Sequence, residues 1–198
     1  MSTVGLFGGS FNPPHLGHLI CAQEAAEQLK LDHVVLIPLH SPTHRELPGD
    51  PGPAARLALC EAAVDGNPRM TASAIEVERG GASYSIDTVR SWRELNSEDE
   101  LTLIVGNDAA AEFSSWREPA ELLELARLAV VSREGESNLL IVEELGAGFP
   151  GSDVVGVTMT RVDISSSLVR ERVAAGLPID YFVPAAVAES IAAEGWYR

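Results

Sequence analysis

The stretch VGLFGGSFNPPHLGHLICAQEAAEQLK, residues 4–30, decides the fold. Residues 4–7 form a short apolar run of the kind that makes a strand buried on both faces. Residues 16–30 carry apolar side chains at helical spacing, and the segment between the two is rich in glycine and proline. A buried strand that leads through a tight turn into a helix is typical of an α/β protein with a parallel sheet.

The same alternation continues to the end of the chain. Further strand-like runs occupy residues 34–39, 101–105, 128–132 and 154–159, and helix-like segments occupy residues 53–65, 86–95, 119–125, 166–175 and 184–193. Residues 70–78 are a further candidate for an edge strand. We therefore predict one α/β domain over residues 1–198, with a doubly wound, mostly parallel sheet and C-terminal helices. Ligands of such sheets bind beyond the carboxyl ends of the strands.

The composition restricts the classes of partner. Lys and Arg number 14 against 29 Asp and Glu, a net charge of −15, which disfavours sequence-independent binding to nucleic acids and anionic membranes. No apolar run is long enough to span a membrane and the N-terminal segment is not a secretion signal, so we expect a cytoplasmic protein. Cys21 and Cys60 lie in helical patterns without C-x-x-C spacing and are predicted to be buried, reduced thiols.

A first phosphate-binding signal lies in GGSFNPPHLGH, residues 8–18. Gly8 and Gly9 lack a Cβ, so phosphates can approach the backbone, and the following helix directs free N–H groups at them. His15 and His18 are three residues apart and should share one face of the helix start. By spacing alone, the pair also fits half of a metal site or ordinary surface polarity. The Walker A and G-x-G-x-x-G patterns of other nucleotide-binding proteins are absent from the sequence.

A second signal lies in VDISSSLVRERV, residues 162–173. Capping of the helix explains one serine, Ser165 or Ser166. Three hydroxyls, exposed N–H groups and Arg170 one turn later favour an additional anion site, and two such sites suit a triphosphate.

HLGH and ISSSLVR resemble the (H/T)xGH and ISSTxxR motifs of a nucleotidyltransferase superfamily with a Rossmann-like fold. Within it, the whole chain resembles the bacterial nicotinate-nucleotide adenylyltransferase family through SYSIDT (83–88), VGND (105–108), the Trp116 region, SREG (132–135) and LPIDYFVPAAVAESI (177–191). The resemblance implies adenylyl transfer from ATP to nicotinate mononucleotide, which yields deamido-NAD and pyrophosphate in NAD biosynthesis. It also implies Mg²⁺ carried with the ATP phosphates and no dedicated metal site on the protein.

By position, the resemblance assigns catalysis to His15, His18 and Arg170. The further ATP-binding candidates are Gly8, Gly9, Ser10, Phe11, Gly106, Asp108, Ser165 and Ser166. The candidates for binding the acceptor are His44, Arg45, Tyr84, Ser85, Asp108, Trp116 and Arg133. The loop SPTHR (41–45) departs from the family's PPHK-like loop, which puts the role of Arg45 in question because Arg and Lys bind phosphate differently.

Two alternatives stay open at this point. The same chemistry can serve another phosphate acceptor, such as nicotinamide mononucleotide or phosphopantetheine, or the chain can be a nucleotide sensor without turnover. The sequence also leaves open whether the C-terminal helices pack on the core or mediate a homo-oligomer.

Overall fold

The computed structural model describes residues 2–42 and 46–198. The strands are β1 (Thr3–Gly9), β2 (His33–Pro38), β3 (Met70–Ala72), β4 (Glu100–Gly106), β5 (Arg127–Arg133) and β6 (Val154–Met159). The helices are α1 (Leu16–Leu29), α2 (Pro53–Val64), α3 (Ile75–Arg79), α4 (Ser85–Leu95), α5 (Asn107–Ala111), α6 (Pro119–Leu125), α7 (Leu139–Gly148), α8 (Ser166–Ala174) and α9 (Ala185–Glu194). A short 3-10 turn spans Phe113–Ser115.

The strands form one parallel sheet in the order β3-β2-β1-β4-β5-β6. Leu6 pairs with Leu103 across β1 and β4, and Leu103 pairs with Leu128 across β4 and β5. These side chains are buried, as expected for strands that are covered on both faces. The predicted α/β class and parallel sheet are therefore confirmed.

The edge-strand prediction for residues 70–78 is only partly right. β3 ends at Ala72, and residues 75–79 form helix α3 instead. The alternation of apolar and polar residues breaks down after Ala72, where the sequence SAIEVER contains good helix formers. The Ser73 hydroxyl accepts a hydrogen bond from the Ile75 N–H at 3.3 Å, and Gly80, at φ +70°, ends the helix.

Two compact units make up the described chain. The first consists of described residues within Met1–Gly8, Cys21–Val35 and Tyr84–Arg161, and the second of those within Gly9–Ile20, Leu36–Ser83 and Val162–Arg198. The assignment of residues 1–198 to a single domain stays a prediction. Among the described residues, no helix combines the length and apolar character needed to cross a membrane.

The first unit packs around its strands. At Gly5 a Cβ would lie 2.8 Å from the Ile104 and Leu31 side chains, so this glycine allows Ile104 of β4 and Leu31, which follows α1, to pack directly on β1. Cys21 belongs to this unit, where it is buried and unpaired, and burial raises the pKa of its thiol to about 12.

The second unit has its own apolar cluster. α2 contributes Leu59, α8 contributes Val169, and α9 contributes Val187 and Ile191, each almost fully buried. Burying one such side chain stabilises the fold by about 1.5–3 kcal/mol. The two C-terminal helices thus pack on the core of the chain itself. Cys60 is also buried here as a free thiol, as the sequence predicted.

Candidate active site

The turn between β1 and α1 folds back on a buried phenylalanine. Phe11 has a φ of +45° and is completely buried. A Cβ on Gly9 would lie 3.1 Å from the Phe11 ring, so a glycine allows the turn to close on it. Gly8, near the end of β1, is exposed with open space where a Cβ would point, and Ser10 is half-buried in the turn that follows. The backbone before α1 is thereby accessible to a ligand at Gly8.

The two histidines lie against each other at the start of α1. Their ring centroids are 3.8 Å apart, and the backbone N–H of His15 donates to Nδ1 of His18 at 3.2 Å. This contact resembles a capping box, in which a side chain in the first turn accepts from the N–H of the residue that caps the helix. Because Nδ1 of His18 is an acceptor, neutral His18 carries its proton on Nε2. A Cβ on Gly17 would lie 3.1 Å from the His15 ring, which explains the glycine between the histidines.

The charge state of His18 agrees with this geometry. Burial holds the pKa of the His18 imidazole well below its ordinary value of 6.5, and the charge of His15 lowers it further. His18 is therefore neutral at pH 7. It can donate a hydrogen bond from Nε2 without carrying a full charge.

The serines of α8 meet the turn before α1 within the second unit. Ser165 caps α8, since its Oγ accepts from the Leu168 N–H at 3.1 Å. The Ser166 hydroxyl donates to the Pro13 carbonyl at 2.8 Å, and Nη1 of Arg170 donates to the Asn12 carbonyl at 2.7 Å. The two phosphate-binding motifs, which lie about 150 residues apart in the sequence, thus meet at Asn12 and Pro13. Of Ser165 and Ser166, only Ser165 caps the helix.

Tyr84 and Trp116, in the first unit, lie in an aromatic and charged environment. Tyr84 precedes α4, and the guanidinium of Arg117 lies 5.0 Å above the centre of its ring. Arg117 also forms an ion pair with Asp87 at 3.6 Å. Trp116 is half-buried, with its ring centroid 5.2 Å from that of Phe113. Arg117 was not among the residues predicted from the sequence, although its position next to Trp116 was a usable signal.

The remaining candidates of the first unit follow neighbouring strands. Gly106 ends β4, Asp108 is exposed on α5, and Arg133 is exposed at the end of β5. β4 and β5 are adjacent and parallel, so these residues lie at the carboxyl edge of the sheet where ligands are expected. Ser85 is the first residue of α4.

Two of the acceptor-binding candidates, His44 and Arg45, lie outside the described residues. Within residues 2–42 and 46–198, no three His, Cys, Asp or Glu side chains come together as a metal site. The reading of the histidine pair as half of a metal site therefore finds no further ligands in the described part of the chain.

Comparisons with known proteins give a consistent result. The family described as cytidylyltransferase-like matches residues 6–172. A relative from Shouchella clausii named "Probable nicotinate-nucleotide adenylyltransferase" is 39% identical over 197 residues, which is 100% of this chain and 97% of the relative. A relative of the same name from Thermus thermophilus is 41% identical over 98% of this chain and 99% of its own length.

A solved structure shares the fold. Plasmodium falciparum nicotinic acid mononucleotide adenylyltransferase, complexed with NaAD, superposes with a TM-score of 0.78 at 15% identity. The match covers 100% of this chain and 98% of that one.

Proposed function

The chain belongs to the nicotinate-nucleotide adenylyltransferase family, and we propose from this membership that it transfers the adenylyl group of ATP to nicotinate mononucleotide. The products are deamido-NAD and pyrophosphate, which places the enzyme in NAD biosynthesis. The observation that carries the residue assignment lies in the second unit, where the Ser166 and Arg170 side chains bind the Pro13 and Asn12 carbonyls of the turn that leads into the histidine pair.

The reaction needs no nucleophile from the protein. An oxygen of the nicotinate mononucleotide phosphate attacks the α-phosphorus of ATP, and the bond from that phosphorus to the oxygen bridging the β-phosphorus breaks. Pyrophosphate leaves with the bonding electrons. Because the attacking phosphate is already an anion at pH 7, the residues of the enzyme position the reactants and stabilise developing charge.

We assign the charge-stabilising roles to the second unit. Neutral His18 donates from Nε2 to an oxygen of the α-phosphate, and His15 supports it through the backbone contact to Nδ1. The Ser165 and Ser166 hydroxyls and Arg170 hold the phosphates that leave. Ser166 donates to the Pro13 carbonyl and Arg170 to the Asn12 carbonyl, and both can exchange these partners for phosphate oxygens, which are stronger, charged acceptors.

Residues of the first unit fit the pyridine nucleotide. The Trp116 indole can stack on a pyridine ring, and Asp108 can accept hydrogen bonds from a ribose. Tyr84, Ser85 and Arg133 complete the acceptor-binding set that we propose. The positive charge of Arg117 beside Tyr84 favours binding of the nicotinate carboxylate over the neutral nicotinamide amide.

Mg²⁺ is part of the proposal as a component of the ATP complex. In the ATP complex the ion would be held mainly by phosphate oxygens and water, the ligands that Mg²⁺ usually keeps. The ion supplies neutralisation of the phosphate charges.

The proposal is tested by acceptor choice. The purified protein is incubated with ATP, Mg²⁺ and either nicotinate mononucleotide or nicotinamide mononucleotide, while pyrophosphate and the dinucleotide product are measured. Faster turnover with the acid is the expected result. Preference for the amide would overturn the substrate assignment but leave the chemistry, and ATP binding without turnover on any acceptor would indicate a sensor.

A further inference from the structure

Arg56 is a buried cation that the reaction described above does not use. Among the described residues it is the largest side chain that is fully buried, with 0% of its surface exposed. A charged group without solvent is costly unless hydrogen bonds and an opposite charge replace the water. The partners of Arg56 therefore indicate what its burial achieves.

The guanidinium binds three separate parts of the second unit. Its Nε donates to Oδ1 of Asp50 at 2.8 Å. Its Nη1 donates to the carbonyl of Leu39 at 2.6 Å and to that of Ser10 at 3.1 Å, and its Nη2 donates to the carbonyl of His40 at 3.0 Å. Arg56 thus joins the turn that precedes the histidine pair to the end of β2 and to the segment before α2.

The first consequence concerns the orientation of the turn. In a trans peptide the C=O and N–H point in opposite directions. Because the Ser10 carbonyl points at the guanidinium, the N–H of the same peptide, which belongs to Phe11, points away from it. Arg56 thereby fixes the direction of a backbone donor in the turn that we assign to phosphate binding.

The second consequence concerns residues 46–50, which precede α2. Arg56 binds Asp50 of this segment and the His40 carbonyl after β2, so one guanidinium joins the two. The same segment is held by a second contact, since the Asn12 side chain donates to the Pro48 carbonyl at 3.2 Å. Asn12 is itself the residue whose carbonyl accepts from Arg170.

We propose that Arg56 is a positioning residue for adenylyl transfer, which joins the turn at Ser10 to the end of β2 and to Asp50 and thereby holds that turn in the arrangement that binds the ATP phosphates. The inference rests on the proposed function. It assigns Arg56 no contact with substrate. Its effect passes through the backbone that Arg56 orients.

The test compares Arg56→Lys with Arg93→Lys. Lysine keeps the charge but cannot bind several carbonyls in one plane. Arg93 is a matched control in the first unit, because its guanidinium also binds backbone carbonyls, those of Leu125 and Asp99. For each folded variant we would measure melting temperature, kcat and the KM for ATP.

Both variants are expected to melt at a lower temperature. Arg56→Lys should also lower kcat/KM for ATP by ~10- to 100-fold, the usual cost of misplaced binding groups, whereas Arg93→Lys should leave it within about 2-fold of wild type. Wild-type kcat and KM in folded Arg56→Lys, or equal losses in both variants, would overturn the proposal.

Two further measurements keep the test decisive. If Arg56→Lys does not fold, Asp50→Ala removes the carboxylate partner of Arg56, and an unchanged kcat/KM for ATP in that variant would refute the positioning role. If the wild-type protein transfers nothing to nicotinate mononucleotide, the proposed function fails, and calorimetry with MgATP then tests Arg56 separately. Weaker MgATP binding by Arg56→Lys but not by Arg93→Lys supports the inference, and equal binding by all three proteins overturns it.

Discussion

Replacing His18 by glutamine and by asparagine separates the two jobs of its imidazole. Nδ1 accepts the His15 N–H at 3.2 Å and stabilises the start of α1, whereas Nε2 keeps the proton that we assign to the transition state. A glutamine amide nitrogen reaches about as far as Nε2, and an asparagine amide oxygen reaches about as far as Nδ1. The glutamine variant therefore keeps a donor in place of Nε2 and loses the acceptor at Nδ1, whereas the asparagine variant keeps the acceptor and loses the donor.

The magnitudes follow from these contacts. Loss of one transition-state donor lowers kcat by ~10²–10³, or about 2.7–4 kcal/mol. The kcat of His18→Asn should fall by this factor, and the kcat of His18→Gln should fall by clearly less. Loss of a capping contact costs ~0.5–2 kcal/mol of stability, so His18→Gln should be the less stable of the two. Activity and stability are expected to rank the two variants in opposite orders.

The assay is pyrophosphate release at saturating ATP and nicotinate mononucleotide, combined with urea unfolding of each variant. His18→Ala is the control that loses both jobs. An asparagine variant as active as the glutamine variant, or an alanine variant within about tenfold of wild type, would refute the assignment of Nε2 as the donor.

Three further outcomes are expected. Because the pKa of His18 is lowered in the folded protein from its ordinary value of 6.5, the unfolded chain takes up a proton there that the folded chain does not, and the free energy of unfolding should fall as the pH drops below about 6.5. Urea unfolding at several pH values should show a smaller decrease in the free energy of unfolding for His18→Gln than for the wild type. An identical decrease in both proteins would contradict the lowered pKa of His18. Gly17→Ala should lower kcat by ~10-fold or more, since its Cβ would lie 3.1 Å from the His15 ring. The control Gly146→Ala, which has open space around the new Cβ on α7, should keep wild-type kcat. Equal kcat values in the two variants would contradict the importance of the Gly17–His15 contact. Arg117→Gln should raise the KM for nicotinate mononucleotide, reduce the preference for nicotinate over nicotinamide mononucleotide, and leave the KM for ATP unchanged. An unchanged preference between the two acceptors would refute this role of Arg117.

Local patterns in the sequence predicted the architecture because buried parallel strands are short and apolar. Residues 101–105 and 128–132 were predicted from such runs, and β4 and β5 contain them. α3, α5 and α7 were missed. α3 and α5 span only five residues each, and α7 contains Gly146 and Gly148, which weaken a helical pattern.

The candidate site was predictable where chemistry is concentrated in a motif. The histidine pair and the α8 serines were identified from residue type and spacing, and the structure brings Ser166 to the Pro13 carbonyl, in the turn just before the histidines. Arg56 was not identified, because an arginine in a helix is usually exposed. A signal did exist, since Arg56 precedes Leu59, Cys60 and Ala63 on the buried face of α2 at helical spacing. The four backbone and carboxylate partners of Arg56 follow from the fold and could not be predicted from local sequence.

The central claim is transfer of the adenylyl group to nicotinate mononucleotide, and the fate of a labelled α-phosphate tests it most directly. The protein is incubated with Mg²⁺, nicotinate mononucleotide and ATP that carries the label on the α-phosphorus, and the products are separated. We predict that the label appears in deamido-NAD, in an amount equal to the unlabelled pyrophosphate released, and only when nicotinate mononucleotide is present. Label recovered in AMP, in pyrophosphate or only in unreacted ATP would contradict it.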